Sequence, residues 1–340
     1  MLLEYMKRKK IDIGSEIKFF SGLNEDKNLI LGLKNGKIQI CEIGKEEIEA
    51  KMVINEFSNE IKSIQELDTN LFAVTDSSSR IKIIELENNA TNYKTIQNLN
   101  MQDDSENIYY MAYLQNLSAT KKRHYFCTCD ENHILIWKSN KEPKNLKVSE
   151  DIYLDNGSEN SDEETSKDDE HPLHFTLFKD IKLNTITRCL IEVKDKYIVA
   201  ACPGKKCIKI FDIEDDFKEI NTLKNIPLTS GSNILAFLPE KKAIICGCSD
   251  GFRVIFTKNF EMKRIHCKYM VTSLINFGTK YILNCGINNN ESKIRQFSLD
   301  ESNNYDKSSE KNLHENEVWN LKLIDNKIFY SNKNYLYFLE

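Results

Sequence analysis

The chain has 340 residues, 47 Lys and Arg against 52 Asp and Glu, a net charge of −5 and 40% hydrophobic residues. That balance argues against broad contact with a phosphate backbone, which needs a basic surface, so direct nucleic-acid binding is not expected. No apolar run reaches the ~18–20 residues of a membrane span, so membrane insertion is not expected either.

The chain opens on "MLLEYMKRKKIDIG", two Leu followed by charge, without the apolar region of a signal peptide. Ten Cys (41, 127, 129, 189, 202, 207, 246, 248, 267 and 285) sit mostly inside apolar runs, where a reduced thiol behaves as a small hydrophobe. Both features point to a reducing compartment, the cytoplasm or alternatively the nucleus. "KRKK" at 7–10 reads either as a nuclear import signal or as part of a half-exposed outer strand.

One order of elements then recurs: an apolar run, a polar turn, a second apolar run. It appears as "NLILGLKNGKIQICE", "LFAVTDSSSRIKIIE", "YFCTCDENHILIWK", "YIVAACPGKKCIKIFD", "AIICGCSDGFRVIFT", "YILNCGINNNESKIRQFS" and "IFYSNKNYLYFL". The second runs end at Cys41, Ile84, Trp137, Phe211, Phe256, Phe297 and Phe338, at intervals of 43, 53, 74, 45, 41 and 41. Apart from the 74, these approach the ~40–45 residues of a four-stranded propeller blade. Each run is short, rich in Ile, Val, Phe and Tyr, and bounded by Gly, Asn, Asp or Ser, which is strand-turn-strand chemistry. Helical periodicity is hard to find.

A further strand precedes each pair: "EIKFF", "EIKSIQEL", "NIYYMAYL", "TITRCLIEV", "NILAFL", "MVTSLINF" and "EVWNLKLI". A more polar segment follows, such as "EEIEAKMV", "YKTIQNL", "FKEINTL" and "FEMKRIH", as expected of a blade's outer edge. The seventh unit stops after its third strand, and "EYMKRKKIDI" at 4–13 has no other partner. We therefore expect an all-β, seven-bladed propeller over 1–340, with four-stranded antiparallel blades and the N-terminal strand closing the last one.

The 74-residue interval holds "DNGSENSDEETSKDDEH" at 155–171, acidic, Ser-rich and without aromatics. Such a segment cannot bury enough apolar area to offset its ordering entropy, and it reads as a disordered insertion in blade three. "HFTLF" at 174–178 then supplies the outer strand. Ser161 and Thr165 each have an acid three residues on, the pattern of acidophilic kinases, and are candidate phosphorylation sites; a tolerated surface insertion is the plainer reading. "DESNNYDKSSE" at 300–310 reads as a second, shorter loop.

The units resemble the WD-repeat β-propellers. The resemblance is carried by Ala236-Phe237, Pro239-Glu240, "CGCSDG" at 246–251 and Phe256 at the family's Trp position. It continues in Phe211-Asp212, Trp137-Lys138, Cys41-Glu42 and Ile84-Glu85, and in "LHENEVWNLKL" with His314, Val318 and Trp319. No unit carries a full Trp-Asp pair, and the family's Asp-His-Ser/Thr-Trp network cannot be completed within one unit: unit seven has His314 but no turn Asp, unit five Asp250 but no His.

Catalytic signals are absent from the sequence. There is no Gly-x-x-x-x-Gly-Lys-Ser/Thr loop, no Gly-x-Ser-x-Gly elbow and no His-x-x-x-His. Cys127/Cys129 and Cys246/Cys248 have one-residue spacing, which suits core packing rather than structural zinc. Cys202-x4-Cys207 flanks a turn and admits a minor metal or disulfide reading. We expect no enzyme, cofactor or metal. The resemblance implies a non-catalytic protein-protein scaffold whose partners dock where loops enter the first strand and join the second to the third. Motif position places Lys18, Lys62, Tyr109, Thr187, Asn233, Thr272 and Trp319 just inside the first strands. Tyr109 and Trp319 are the candidate anchors, with Trp319 packing between blades as the plain alternative. A subunit of an RNA-processing or ribosome-associated assembly is a second reading. A ligand binder or enzyme using the central channel is a third.

Overall fold

Runs bounded by turns every six to eight residues leave the chain few ways to pair other than with its immediate neighbours. The computed structural model describes residues 3, 6–23, 27–44, 47–87, 90–99, 107–143, 172–193, 196–231, 234–278, 281–288, 291–301, 305–313, 318 and 320–340. The insertion at 155–171, with Ser161 and Thr165, lies outside them, as do His314 and the site candidates Asn233 and Trp319.

Seven four-stranded antiparallel sheets form the molecule. Blade one comprises β2 (Ile17–Leu23), β3 (Asn28–Leu33), β4 (Ile38–Ile43) and β5 (Ile48–Ile54). Blade two comprises β6 (Ile61–Asp68), β7 (Leu71–Asp76), β8 (Ile81–Glu87) and β9 (Asn92–Leu99). Blade three has β10 (Tyr110–Tyr113), a short helix α1 (Gln115–Lys121), β11 (Tyr125–Cys129), β12 (His133–Ser139) and β13 (Phe175–Lys182). Blade four has β14 (Cys189–Val193), β15 (Tyr197–Cys202), β16 (Cys207–Asp212) and β17 (Lys218–Leu223). Blade five has β18 (Leu235–Leu238), β19 (Ala243–Cys248), β20 (Gly251–Phe256) and β21 (Met262–His266). Blade six has β22 (Met270–Phe277), β23 (Tyr281–Asn288), β24 (Glu291–Leu299) and β25 (Tyr305–Asn312). Blade seven has β26 (Leu321–Ile324), β27 (Lys327–Asn332) and β28 (Tyr335–Leu339), closed on its outside by β1 (Arg8–Asp12).

Burial explains the two hydrophobic patterns. The second strands β7, β11 and β19 are buried at every position, because both faces press on neighbouring blades. Outer strands β1 and β21 alternate exposed and half-buried residues, since one side meets water. The core is not central. It divides into seven apolar clusters, one between each adjacent pair of blades, the last joining blade seven to blade one. In blades one, two, three, four and six the pairing of third and fourth strands shifts register at the same place. The shift falls just before Cys41, Ile84, Trp137, Phe211 and Phe297, the residues that end each apolar pair, and such bulges increase local twist.

"KRKK" runs into β1 at the clasp of blade seven. Lys7 and Glu340 exchange backbone hydrogen bonds of 2.9 and 3.1 Å. The Arg8 guanidinium lies 4.5 Å from the Tyr337 ring centre, and the Lys10 ammonium 3.6 Å from that of Tyr335.

Two elements differ from expectation. Residues 305–312 are not loop but β25, the outer strand of blade six. Their Ser, Lys, Asp and Glu content reads as loop, yet an outer strand needs little apolar side chain once β24 supplies the ladder. Helix α1 is the other. Its first-turn amides, from Asn116 and Leu117, donate to the Glu192 carboxylate of blade four at 2.7 Å each, a cap supplied from the next blade. In blade three, Asn140 hydrogen-bonds His174 and Pro172 at 2.8–3.1 Å, so the chain leaves and rejoins the sheet at one point.

Candidate protein-interaction face

In each antiparallel blade, the start of the first strand and the turn between second and third strands lie at one end. Lys34 N–H donates to the Glu16 carbonyl, and Ser77 N–H to that of Glu60, tying these loops together. Lys18, Lys62 and Thr272 sit where the pairing of first and second strands shifts register, at Ile17/Phe19, Ile61/Ser63 and Val271/Ser273. A bulge leaves one residue out of the ladder and re-aims its side chain.

Blades one and two share a charged chain. Lys18 Nζ lies 2.8 Å from Glu16 and 3.5 Å from Glu60; Lys34 lies 2.9 Å from Glu16 and Lys62 2.6 Å from Glu60. Hydrogen bonds from Lys18 and Lys34 hold the Glu16 carboxyl below its ordinary pKa. At Glu60 burial opposes ionisation, but Lys62 and Lys18 outweigh it and the pKa is lowered. At Lys18 the balance is the mirror image: burial disfavours the ammonium, the two Glu favour it, and its pKa is raised.

Blades three and four meet at an aromatic. The Tyr109 hydroxyl donates to Glu131 at 2.7 Å, and the Arg188 guanidinium stacks 4.0 Å from its ring centre. Burial, then Glu131, raises the phenol's pKa against a smaller opposing pull from Arg188.

The remaining candidates behave differently. Thr187 and Thr272 are fully buried and offer no side chain to a partner. Thr187 Oγ1 lies 3.7 Å from Cys202 Sγ, and Thr272 Oγ1 donates to the Val318 carbonyl at 2.8 Å, joining blades six and seven. A hydroxyl facing another blade finds its acceptor there. Sequence reading missed Glu16, Glu60, Glu131 and Arg188. The repeated "EIK" at 16–18 and 60–62 was a usable signal for the first two. Glu131 and Arg188 are 57 residues apart, and only the ring places them on one tyrosine.

In blades two, three and five the turn between second and third strands carries a buried or half-buried Asp: Asp76, Asp130 and Asp250. In blade two, Asp76 accepts from the Ser78 amide at 3.0 Å and from Arg80 at 2.5 and 3.2 Å. Burial raises its pKa, but Arg80 and Ser78 outweigh it and the net shift is downward. A depressed carboxylate adds stability above the unfolded value near pH 4 and loses it as pH falls through the lower folded value. We expect Asp76→Asn to cost about 1–2 kcal/mol at pH 7, with Arg80 half in water. In urea unfolding, the gap from the unaltered protein should close as pH drops below about 4.

In blade three the buried Trp137 indole donates to Thr128 Oγ1 at 3.1 Å, and Asp130 in the following turn accepts from the Asn132 and His133 amides at 2.7 and 2.6 Å. The Trp–Thr contact and the turn Asp are two parts of the network that the resemblance to WD-repeat propellers implies; the segment leading into β10 contains no His to join Asp to Thr. Among the described residues no helix is long and apolar enough to cross a membrane.

No family model matches the chain, and no curated protein does. Solved structures do. Sqt1 of Saccharomyces cerevisiae superposes with a TM-score of 0.66 at 11% identity, over 94% of this chain and 82% of that one. The β-propeller domain of Cps50 (Swd1) from Myceliophteria thermophila gives 0.65 at 9% identity, over 98% and 99%. At these identities the likeness shows the fold alone: the chain is a seven-bladed β-propeller, closed by its N-terminal strand.

Proposed function

We propose that the chain is a non-catalytic protein-interaction scaffold, a divergent WD-repeat protein, that docks partners on the end of the ring running from Lys18 and Lys62 to Tyr109 and Arg188. The observation that carries this reading is the Tyr109–Arg188 stack. Aromatic and Arg side chains dominate interface energetics, and this pair is held in place before any partner arrives by the hydrogen bond to Glu131. The Glu–Lys chain beside it sets a fixed alternation of charge that favours one partner register over others. The closed frame beneath contributes rigidity, and its loops can vary without altering it.

We expect paired substitution Tyr109→Ala with Arg188→Ala to reduce capture of the main co-purifying protein at least tenfold, as loss of a hot spot worth about 2 kcal/mol implies. Lys18→Glu with Lys62→Glu should shift the salt dependence of capture. Lys241→Glu, in the Pro239–Lys242 turn at the opposite end, should change neither. Full retention of every partner by the two paired variants, with unchanged melting temperature, would show that this end is not the docking face. The reading includes a cytoplasmic location, with the nucleus as alternative, which cell fractionation decides.

A further inference from the structure

Blade four carries chemistry that the docking reading does not use. Its strands β15 and β16 are joined by one tight turn, Pro203–Lys206, in which Lys206 N–H donates to the Pro203 carbonyl at 3.0 Å. Cys202 ends one strand, Cys207 begins the next, and the two are direct cross-strand partners. Such partners have Cα atoms about 4.5–5.5 Å apart, inside the ~4.4–6.8 Å that a disulfide spans. All ten cysteines are free thiols. Cys207 also opens on a cavity of about 580 Å³ lined by Lys205, Lys209 and Lys224, with Thr222 and Glu219. Lys209 pairs with Glu219 at 2.5 Å, so the cavity keeps an excess of positive charge from Lys205 and Lys224.

We propose that Cys202 and Cys207 form a thiol–disulfide exchange site that accepts a small anionic disulfide of the oxidised-glutathione class. The lysines attract the carboxylates of such a molecule, and the cavity brings its sulfur to Cys207. The two thiols are unequal. The neighbouring Cys202 thiol brings the Cys207 pKa down to about 7; burial opposes this, Lys209 assists, Glu219 opposes, and Lys205 assists least. The nearby Cys207 thiol, then burial, shifts Cys202 upward. Cys267, the one cysteine of the ten that is not fully buried, has its pKa raised by burial. Reactivity follows the thiolate, not exposure alone.

The exchange balances in two steps. The Cys207 thiolate attacks one sulfur of R–S–S–R, the S–S bond breaks, and RS⁻ leaves while a Cys207–S–S–R bond forms. Cys202 then yields its proton to the departed thiolate and attacks Cys207 Sγ; the mixed disulfide breaks and a second RS⁻ leaves, taking the proton Cys207 had lost to water. Two protein thiols are oxidised to one disulfide, and one R–S–S–R is reduced to two RSH.

The test treats the folded full chain with oxidised glutathione at pH 7 and maps adducts by mass spectrometry. We expect a Cys202–Cys207 disulfide in the unaltered protein, a glutathionyl group trapped on Cys207 in Cys202→Ser, and neither in Cys207→Ser. Iodoacetamide should label Cys207 about tenfold faster than Cys267. The uncharged bis(2-hydroxyethyl) disulfide should react severalfold more slowly, and Lys205→Gln with Lys224→Gln should erase that preference. First labelling at Cys267, or reaction of Cys207 only after denaturation, would overturn the site. Equal rates for the charged and uncharged disulfides would overturn its anionic class. The unaltered protein alone gives the cross-link and labelling results, so a poorly folding variant does not blunt the test.

Discussion

A chain lacking residues 1–13 should lose about 10 °C in melting temperature and self-associate. Two losses combine. Leu3 and Met6 are buried with Leu313, Leu321 and Tyr337 between blades six and seven, and at roughly 1.5–3 kcal/mol each they supply about 4 kcal/mol. That is a large share of a typical net stability of about 5–15 kcal/mol. The second loss is topological. Without β1, the aromatic strand β28 presents an unpaired edge, a ready template for a second copy. Calorimetry with light scattering measures both, and unchanged melting would show that the ring does not depend on its clasp. A finer test uses the ladder's alternation. Lys7 and Glu340 exchange backbone bonds, so Lys9 and Ile11 also turn their N–H groups to β28, whereas that of Lys10 faces outward. Lys9→Pro should cost at least about 2 kcal/mol, and Lys10→Pro well under 1. Equal costs would contradict the register.

Gly231→Ala should be nearly as damaging, at about 3 kcal/mol in chemical denaturation. A Cβ at this position would overlap the backbone carbonyl oxygen of Thr272, with the Thr272 carbonyl carbon at 3.2 Å and Ile234 Cγ2 at 3.1 Å. A flexible side chain could yield, but Thr272 cannot. It is the bulge residue at the head of blade six, and its hydroxyl ties that blade to Val318 of blade seven. The strain therefore spreads over two blade interfaces. Gly204→Ala is the control. Its nearest neighbour would be Thr185 Oγ1 at 3.6 Å, an ordinary contact, so the change should be neutral or stabilising by about 0.5 kcal/mol. Similar costs at the two glycines would show that blades five and six do not meet as described.

The site was partly legible for a physical reason. Lys18, Lys62 and Tyr109 each lie next to the first residue of a first strand, and such nearness survives in sequence as spacing. Direction does not. Thr187 and Thr272 lie almost as near to theirs but are buried, Thr272 against Val318 of the next blade, because what packs against a residue around the ring lies tens of residues away. Arg188 on Tyr109, and Glu192 capping α1, are contacts of the same kind. The seven residues of α1 hold too few apolar positions for a helical period, and β25 has the composition of a loop.

What the amino-acid order determined alone was everything local: strand after strand, turns at Gly, Asn, Asp and Ser, seven units and the leading segment that completes the seventh. Six of the seven blades are built from strands consecutive in the chain, so their information is local and can be read there. The ring decided the rest: which side chain at each blade entrance meets solvent, and where charges from different blades join. Those outcomes depend on the packing of one sheet upon the next, a distance relation that no window of sequence contains.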